Sequence, residues 1–283
     1  MGQVAGLWQS CKIYLRGLSR DESQQYFSSL KMTVLVGVRC IDGIIIGADS
    51  VATSTNGNFN TMQMESNDKI KIFDNNKIVA CTGSVGFAQR LYDHFEAAQR
   101  GNVFIQANRR EVFTNLSKRF LTDLQNSMAQ TNPQYGIGFG SIVAIVHNGQ
   151  PHLVEYGTKD FQHEEKEGRL FYVSMGSGQI LADPFLAFIN RVLWKGTMPT
   201  LEMGRLGVYW ALDHTIKSAP GGVGGKIRIA TLSKKDGSWK ASEMTDSEEP
   251  AQFLNELEDK ISQQAQQLVS GAKIVSPLPQ PPV

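Results

Sequence analysis

Short β-hairpins separated by pairs of amphipathic helices run along most of this chain, and that alternation restricts it to very few layered folds. Thr33–Cys40 (TVLVGVRC) alternates and is rich in β-branched residues, Asp42-Gly43 supplies a two-residue turn, and Ile44–Asp49 returns. The polar stretch Thr53–Asn67 reads as a loop. A second hairpin follows, Lys69–Phe73 and Lys77–Thr82 about Asp74-Asn75-Asn76. Ser84 reads as the N-cap of a helix with Ala88, Leu91, Tyr92 and Phe95 on one face, stopped by Gly101. A partner helix spans about Arg109–Met128. Strands resume at Ser141–His147, His152–Tyr156 and Leu170–Ser174, with Asn148-Gly149 as a turn. Asp183-Pro184 reads as a cap and first-turn proline, opening a helix, and Leu201–Lys217 is the next one. Pro220-Gly221-Gly222 ends it, and Lys226–Leu232 pairs with Trp239–Met244 across Lys235-Asp236-Gly237. A last helix, Ala251–Val269, carries Phe253, Leu257, Ile261, Ala265 and Leu268 along a stripe. Two sheets face to face with helices on both outer sides satisfy this order: an α+β, four-layer αββα sandwich. Dinucleotide-binding folds alternate strand and helix singly, and are excluded.

The remainder of the chain is read as follows. Residues 1–32 are mixed and polar, with at most a short helix near Asp21–Lys31. The last seven residues hold four of the ten prolines, Pro277, Pro279, Pro281 and Pro282, and read as an extended tail over 271–283. Residues 33–270 are then a single large domain. Lys and Arg total 28 against 27 Asp and Glu, a net charge of +1, and no basic run exists to hold phosphates. A nucleic-acid or membrane-surface binder is thereby disfavoured. No apolar run approaches the roughly 18 residues of a bilayer span. The N-terminus lacks an apolar signal core, and position 6 is Gly where myristoylation wants Ser or Thr, so the cytoplasm is expected. Cys11, Cys40 and Cys81 are odd in number and far apart, which fits reduced thiols.

Several motifs point nowhere. Gly136–Gly140 lacks the strand and helix of a nucleotide loop. PGGVGGK (Pro220–Lys226) has Pro where a P-loop needs its first Gly and Ile227 where it needs Ser or Thr, so it reads as a turn entering a strand. Asn115-Leu116-Ser117 matches a glycosylation sequon only by pattern. The five histidines, 94, 147, 152, 163 and 214, never fall at metal spacing, and neither metal nor cofactor is expected. No G-x-S-x-G elbow is present.

One ordered set of pieces does point somewhere. Thr33 heads a strand, Asp42-Gly43 turns it, and Gly47-Ala48-Asp49-Ser50 closes the return. Then come Asn67-Asp68-Lys69-Ile70 and Cys81-Thr82-Gly83-Ser84. This set resembles the proteasome β-subunits and their bacterial relatives, in the N-terminal nucleophile hydrolase superfamily. The resemblance runs from Thr33 to about Leu232. It implies a threonine endopeptidase in which Thr33, once it is the first residue, attacks the peptide carbonyl while its own α-amine takes the proton. Lys69 matches the lysine beside the nucleophile, Asp49 the carboxylate that holds it, Gly83 the oxyanion-hole glycine, and Ser177 the serine that orients the amine. Thr53, Gly83 and Val85 match positions whose main chain pairs with substrate, and Cys81 and Val85 match pocket-lining positions. Stacked homo-oligomeric rings are implied as well, with an ATP-dependent unfoldase as a possible partner.

The sequence departs from that family in places. The segment between Asp49 and Lys69 is a few residues long by comparison. Lys217, Ser218, Ala219 and Pro220 stand where the family carries Asp and Ser before its late glycines, leaving Ser218 as a weak substitute. Met32 replaces the usual Gly before the nucleophile. Residues 1–32 are therefore either a propeptide or an upstream extension of a chain that starts at Met32. Uncut, the chain would be a zymogen. Two rival readings remain: a non-catalytic ring scaffold, and an N-terminal nucleophile amidase acting on a small molecule.

Overall fold

The structure is a computed structural model that describes residues 33–56, 59–65, 69–106, 108–127, 138–219, 223–244 and 248–271. In chain order it contains β1 (Leu35–Cys40), β2 (Gly43–Ala48), β3 (Val51–Asn56), β4 (Phe59–Glu65), β5 (Ile70–Phe73) and β6 (Lys77–Thr82). Helices α1 (Val85–Arg100), α2 (Val103–Gln106) and α3 (Arg109–Ser127) come next. They are followed by β7 (Gly140–His147), β8 (Gln150–Tyr156), β9 (His163–Glu165) and β10 (Tyr172–Met175). The chain finishes with α4 (Gln179–Val192), α5 (Leu201–Ser218), β11 (Arg228–Lys235), β12 (Ser238–Met244) and α6 (Glu248–Gly271). Two compact units divide it, Met1–Thr245 and Asp246–Val283.

In the first unit, one five-stranded sheet has the order β10-β1-β2-β11-β12 and the other the order β5-β6-β7-β8-β9, each antiparallel throughout. The two-residue period of the strands divides their side chains between two cores. Leu35, Ile44, Ile46 and Ala48 from one sheet meet Ile78, Ala80, Ile142 and Ala144 from the other in a dry layer. The opposite face of the second sheet offers Val79, Cys81, Val143 and Val154 to Leu91, Phe95, Phe113 and Phe120 of α1 and α3. On the far side, α5 lies against β2. At Gly47 an added Cβ would stand 2.6 Å from Val208 and 2.7 Å from Leu212, so only glycine admits the helix this closely. The expected αββα sandwich is the architecture found.

Local differences from the sequence expectations have physical causes. Thr53–Asn67 is not a loop: β3 and β4 form a separate two-stranded sheet, with Thr53 opposite Gln63 and a register shift at Ser54/Thr55. Side-chain polarity concealed strands built on β-branched threonines. The helix expected to open at Asp183 begins at Gln179, with Pro184 inside it. Asp183 is no cap, because its carboxylate accepts from Ser174 Oγ at 2.5 Å and Gln179 Nε2 at 3.0 Å. Ser84 is the N-cap residue of α1 but makes no side-chain capping bond. The short elements α2 and β9 had no sequence signal. In the second unit, α6 presents Phe253, Ile261 and Leu268 largely to solvent. The helix expected near Asp21–Lys31, the break at Pro220-Gly221-Gly222 and the Pro-rich tail lie outside the described residues.

Candidate active site

Register places the candidate residues together. Leu35 stands opposite Ala48 of β2 and, on its other side, opposite Met175 of β10. Antiparallel pairing then brings Asp49 on one flank and Gly176–Gly178 on the other beside Thr33 and Val34. Four bonds complete the arrangement. Asp49 N–H donates to Val34 O at 3.2 Å, and Val34 N–H donates to Asp49 Oδ1 at 3.0 Å. Thr33 N–H donates to Ser177 Oγ at 3.1 Å, and Gly178 N–H donates to Thr33 O at 3.1 Å. Gly176 has φ +98°, and a Cβ there would collide with the Thr33 carbonyl, so the turn that grips Thr33 requires glycine.

Lys69 approaches from the opposite sheet. Its carbonyl accepts from Cys81 N–H at 3.0 Å, which anchors the residue at the start of β5. From there its Nζ donates to Asp49 Oδ1 at 2.7 Å. Asp49 is 0% exposed and Lys69 9%. Burial pushes the Asp49 carboxyl above its ordinary value and the Lys69 ammonium below its own, and their mutual contact opposes both shifts. Two main-chain donors favour the carboxylate further: Val34 N–H on Oδ1 and Gly224 N–H on Oδ2, at 3.3 Å. The result is a charge pair joining the two sheets one residue away from Thr33.

The remaining candidates are placed differently. Gly83 has φ +105°, and a side chain there would strike the Gly138 carbonyl. Val85, at the head of α1, is 53% exposed. Thr53 lies within β3, where its main chain pairs with Gln63. Cys81 does not line an open cleft. The pleat turns it to the helix side of its sheet, where its Sγ stands 3.8 Å from Ser141 Oγ and burial pushes the thiol up to about 12. Ser218 is an exposed residue in the last turn of α5. Sequence reasoning missed the parts played by the Gly224 amide, Gly176 and Ser50. Main-chain donors carry no residue-type signature, so only the conspicuous glycines hinted at them.

Two facing antiparallel sheets between helix layers, with a threonine leading the first strand beside a buried Lys–Asp pair, define the N-terminal nucleophile hydrolase fold. The chain belongs to the proteasome family: the family model described as "Proteasome subunit" matches residues 31–187, more than half of its length. Similar solved structures agree on the fold. A Gly-1 mutant of Anbu from Hyphomicrobium sp. strain MC1 superposes with a TM-score of 0.64 at 13% identity, covering 87% of this chain and 100% of that one. Anbu, termed an ancestral beta-subunit, from Yersinia bercovieri gives 0.62 at 14%, covering 86% and 99%. The helical assembly of the Anbu complex from Pseudomonas aeruginosa gives 0.60 at 14%, covering 88% and 98%. No curated protein matches the chain in sequence.

Proposed function

We propose that this chain is a subunit of a self-compartmentalised, proteasome-like ring that cleaves peptides and unfolded proteins with Thr33 as its N-terminal nucleophile. The observation that carries the reading is the position of Thr33: its nitrogen is held by Ser177 and its neighbour Val34 by Asp49, which is itself paired with Lys69. Once residues 1–32 are removed, that nitrogen becomes an α-amine with an ordinary pKa of about 7.7–8.0, suited to act as a base near neutrality. The amine takes the Thr33 hydroxyl proton as Oγ bonds to the scissile carbonyl carbon. It then returns the proton to the departing amine, leaving an ester on Thr33. Water activated by the same amine hydrolyses the ester and restores the hydroxyl.

Lys69 lowers the cost of the alkoxide forming nearby. The Gly83 amide and the positive end of α1 stabilise the oxyanion. An extended substrate pairs with the main chain of β3 at Thr53 and with Gly83 and Val85. Self-association is supported by the Pseudomonas aeruginosa neighbour, whose assembly is described as helical, and closed homo-oligomeric rings are the arrangement that the proteasome resemblance implies. An ATP-dependent unfoldase in the cytoplasm would deliver unfolded chains.

The test is intact-mass measurement beside a peptide assay. Activity is expected only from molecules whose chain starts at Thr33, including those begun at Met32 and trimmed of it, and Thr33→Ala is expected to be silent in every background. Full turnover from molecules retaining residues 1–32, or unchanged turnover by Thr33→Ala, overturns the reading.

A further inference from the structure

The Asp49 carboxylate is held from a third direction by a turn that the next residue grips twice. Gly224 N–H donates to Asp49 Oδ2 at 3.3 Å. Ser50 N–H donates to Gly224 O at 3.2 Å, and Ser50 Oγ accepts from Lys226 N–H at 2.7 Å. Ser50 is 2% exposed, and Gly225, between the two gripped residues, has φ +75°. The turn leads directly into β11, whose Arg228 stands opposite Ala48. Successive side chains, the Asp49 carboxylate and the Ser50 hydroxyl, therefore bind alternate amides of one short loop.

This clasp decides how firmly Asp49 is oriented. Val34 N–H and Lys69 Nζ both bind Oδ1, so without Gly224 the carboxylate could rotate about its own axis while keeping only that oxygen engaged. The Gly224 amide fixes the second oxygen, and hence the plane of the group. Gly224 has little to hold it there by itself: glycine is the freest of residues, and another glycine follows it. In the proteasome β-subunits that this sequence resembles, Asp and Ser side chains stand just before the late glycines. Here Lys217 and Pro220 stand near those places, and the support visible in the described residues is the grip of Ser50 on the main chain.

We infer that Ser50 is a positioning residue: by clasping the 224–226 turn it keeps the Gly224 amide on Asp49, which in turn fixes Lys69 beside Thr33. The catalytic consequence rests on the peptidase reading, whereas the coupling between Ser50 and Asp49 does not. An ordinary buried serine tying β2 to β11 would stabilise the fold without any dependence on Asp49.

Two measurements on the full chain and its active form separate these cases. In a thermal double-mutant cycle, Ser50→Ala should lower the melting midpoint by about 3 °C with Asp49 in place. In the Asp49→Asn background the shift should fall below half of that, because the amide it positions has lost its charged acceptor. In the peptide assay, Ser50→Ala should reduce kcat by about tenfold or more with KM changed by less than about twofold, and Ser50→Thr should restore it. Should Ser50→Ala fail to fold, Ser50→Cys weakens the acceptor without removing its volume and is read in the same cycle. Equal midpoint shifts in both backgrounds overturn the inference, as does an unchanged kcat. Absence of turnover in the unsubstituted protein would instead sink the peptidase reading, and the melting cycle would still decide the role of Ser50.

Discussion

Lys69 and Asp49 meet at 2.7 Å between the two sheets, with the carboxylate wholly removed from solvent. Their contact does not by itself signify stability. Desolvating both charges opposes the Coulombic gain, and well-packed apolar residues could fill the same space at no loss. On the proposed peptidase reading, such a pair next to the leading threonine serves the chemistry, whereas in a ring scaffold it would serve the fold alone.

Separating those two roles takes a pair of variants. Lys69→Ala should cost about 3–5 kcal/mol, because it strands a buried carboxylate, and should remove peptide turnover. The charge-free double variant Asp49→Asn with Lys69→Met should recover most of that stability and none of the activity. Urea midpoints and a peptide assay check both. Turnover by the double variant would mean that the pair only supports the fold.

Two glycines of like conformation should behave differently. Gly149 has φ +75° with nothing near an added Cβ, so Gly149→Ala should cost only the left-handed strain of about 1–2 kcal/mol and leave turnover intact. Gly176 has φ +98° and faces the Thr33 carbonyl, so Gly176→Ala should cost more and abolish turnover by displacing Thr33. Denaturation and peptide assays of the two variants give the comparison. Equal effects on activity would show that the grip of the Gly176 turn on Thr33 is not needed for turnover.

Stability should fall on mild acidification. His152 is buried and bonded to Glu165 Oε1 at 2.6 Å, and burial holds its pKa below the usual 6.5 despite that partner. The native state therefore binds fewer protons than the unfolded chain, so the stability present above 6.5 is lost as the pH falls towards the folded value. His163 shifts in the same direction. Melting midpoints should drop between about pH 7.5 and about pH 5.5, and His152→Gln should flatten part of that slope. A slope identical in the variant would remove His152 from the cause.

The strands and helices that position the site were mostly legible, because their signals are local. Asn148-Gly149 and Asp236-Gly237 mark turns by backbone demand, and Leu91 and Phe95 mark a helix face by spacing. The turn expected at Asp42-Gly43 falls one residue earlier, at Ile41-Asp42, because Gly43 already pairs with Cys40 at the start of β2. The segment around Thr53 reads as a loop because its run of Thr, Ser and Asn lacks the apolar alternation that announces a half-buried strand. Asp183-Pro184 misled because the carboxylate that suggested a cap is engaged by Ser174 from β10.

By itself, the sequence determined the layered fold and the ordered set of Thr33, Asp49, Lys69 and Gly83, because side-chain identity, period and turn chemistry are properties of the chain. Only the tertiary structure decided what holds that set in place. Antiparallel register carries Asp49 and Ser177 to either side of Thr33 and Val34, and sheet-on-sheet packing brings Lys69 across to Asp49. The pleat turns Cys81 towards the helices, and the Gly224 amide reaches Asp49 from 175 residues away. Those contacts are made by main-chain groups common to every residue, or by faces fixed only once strands pair, and no residue type announces them.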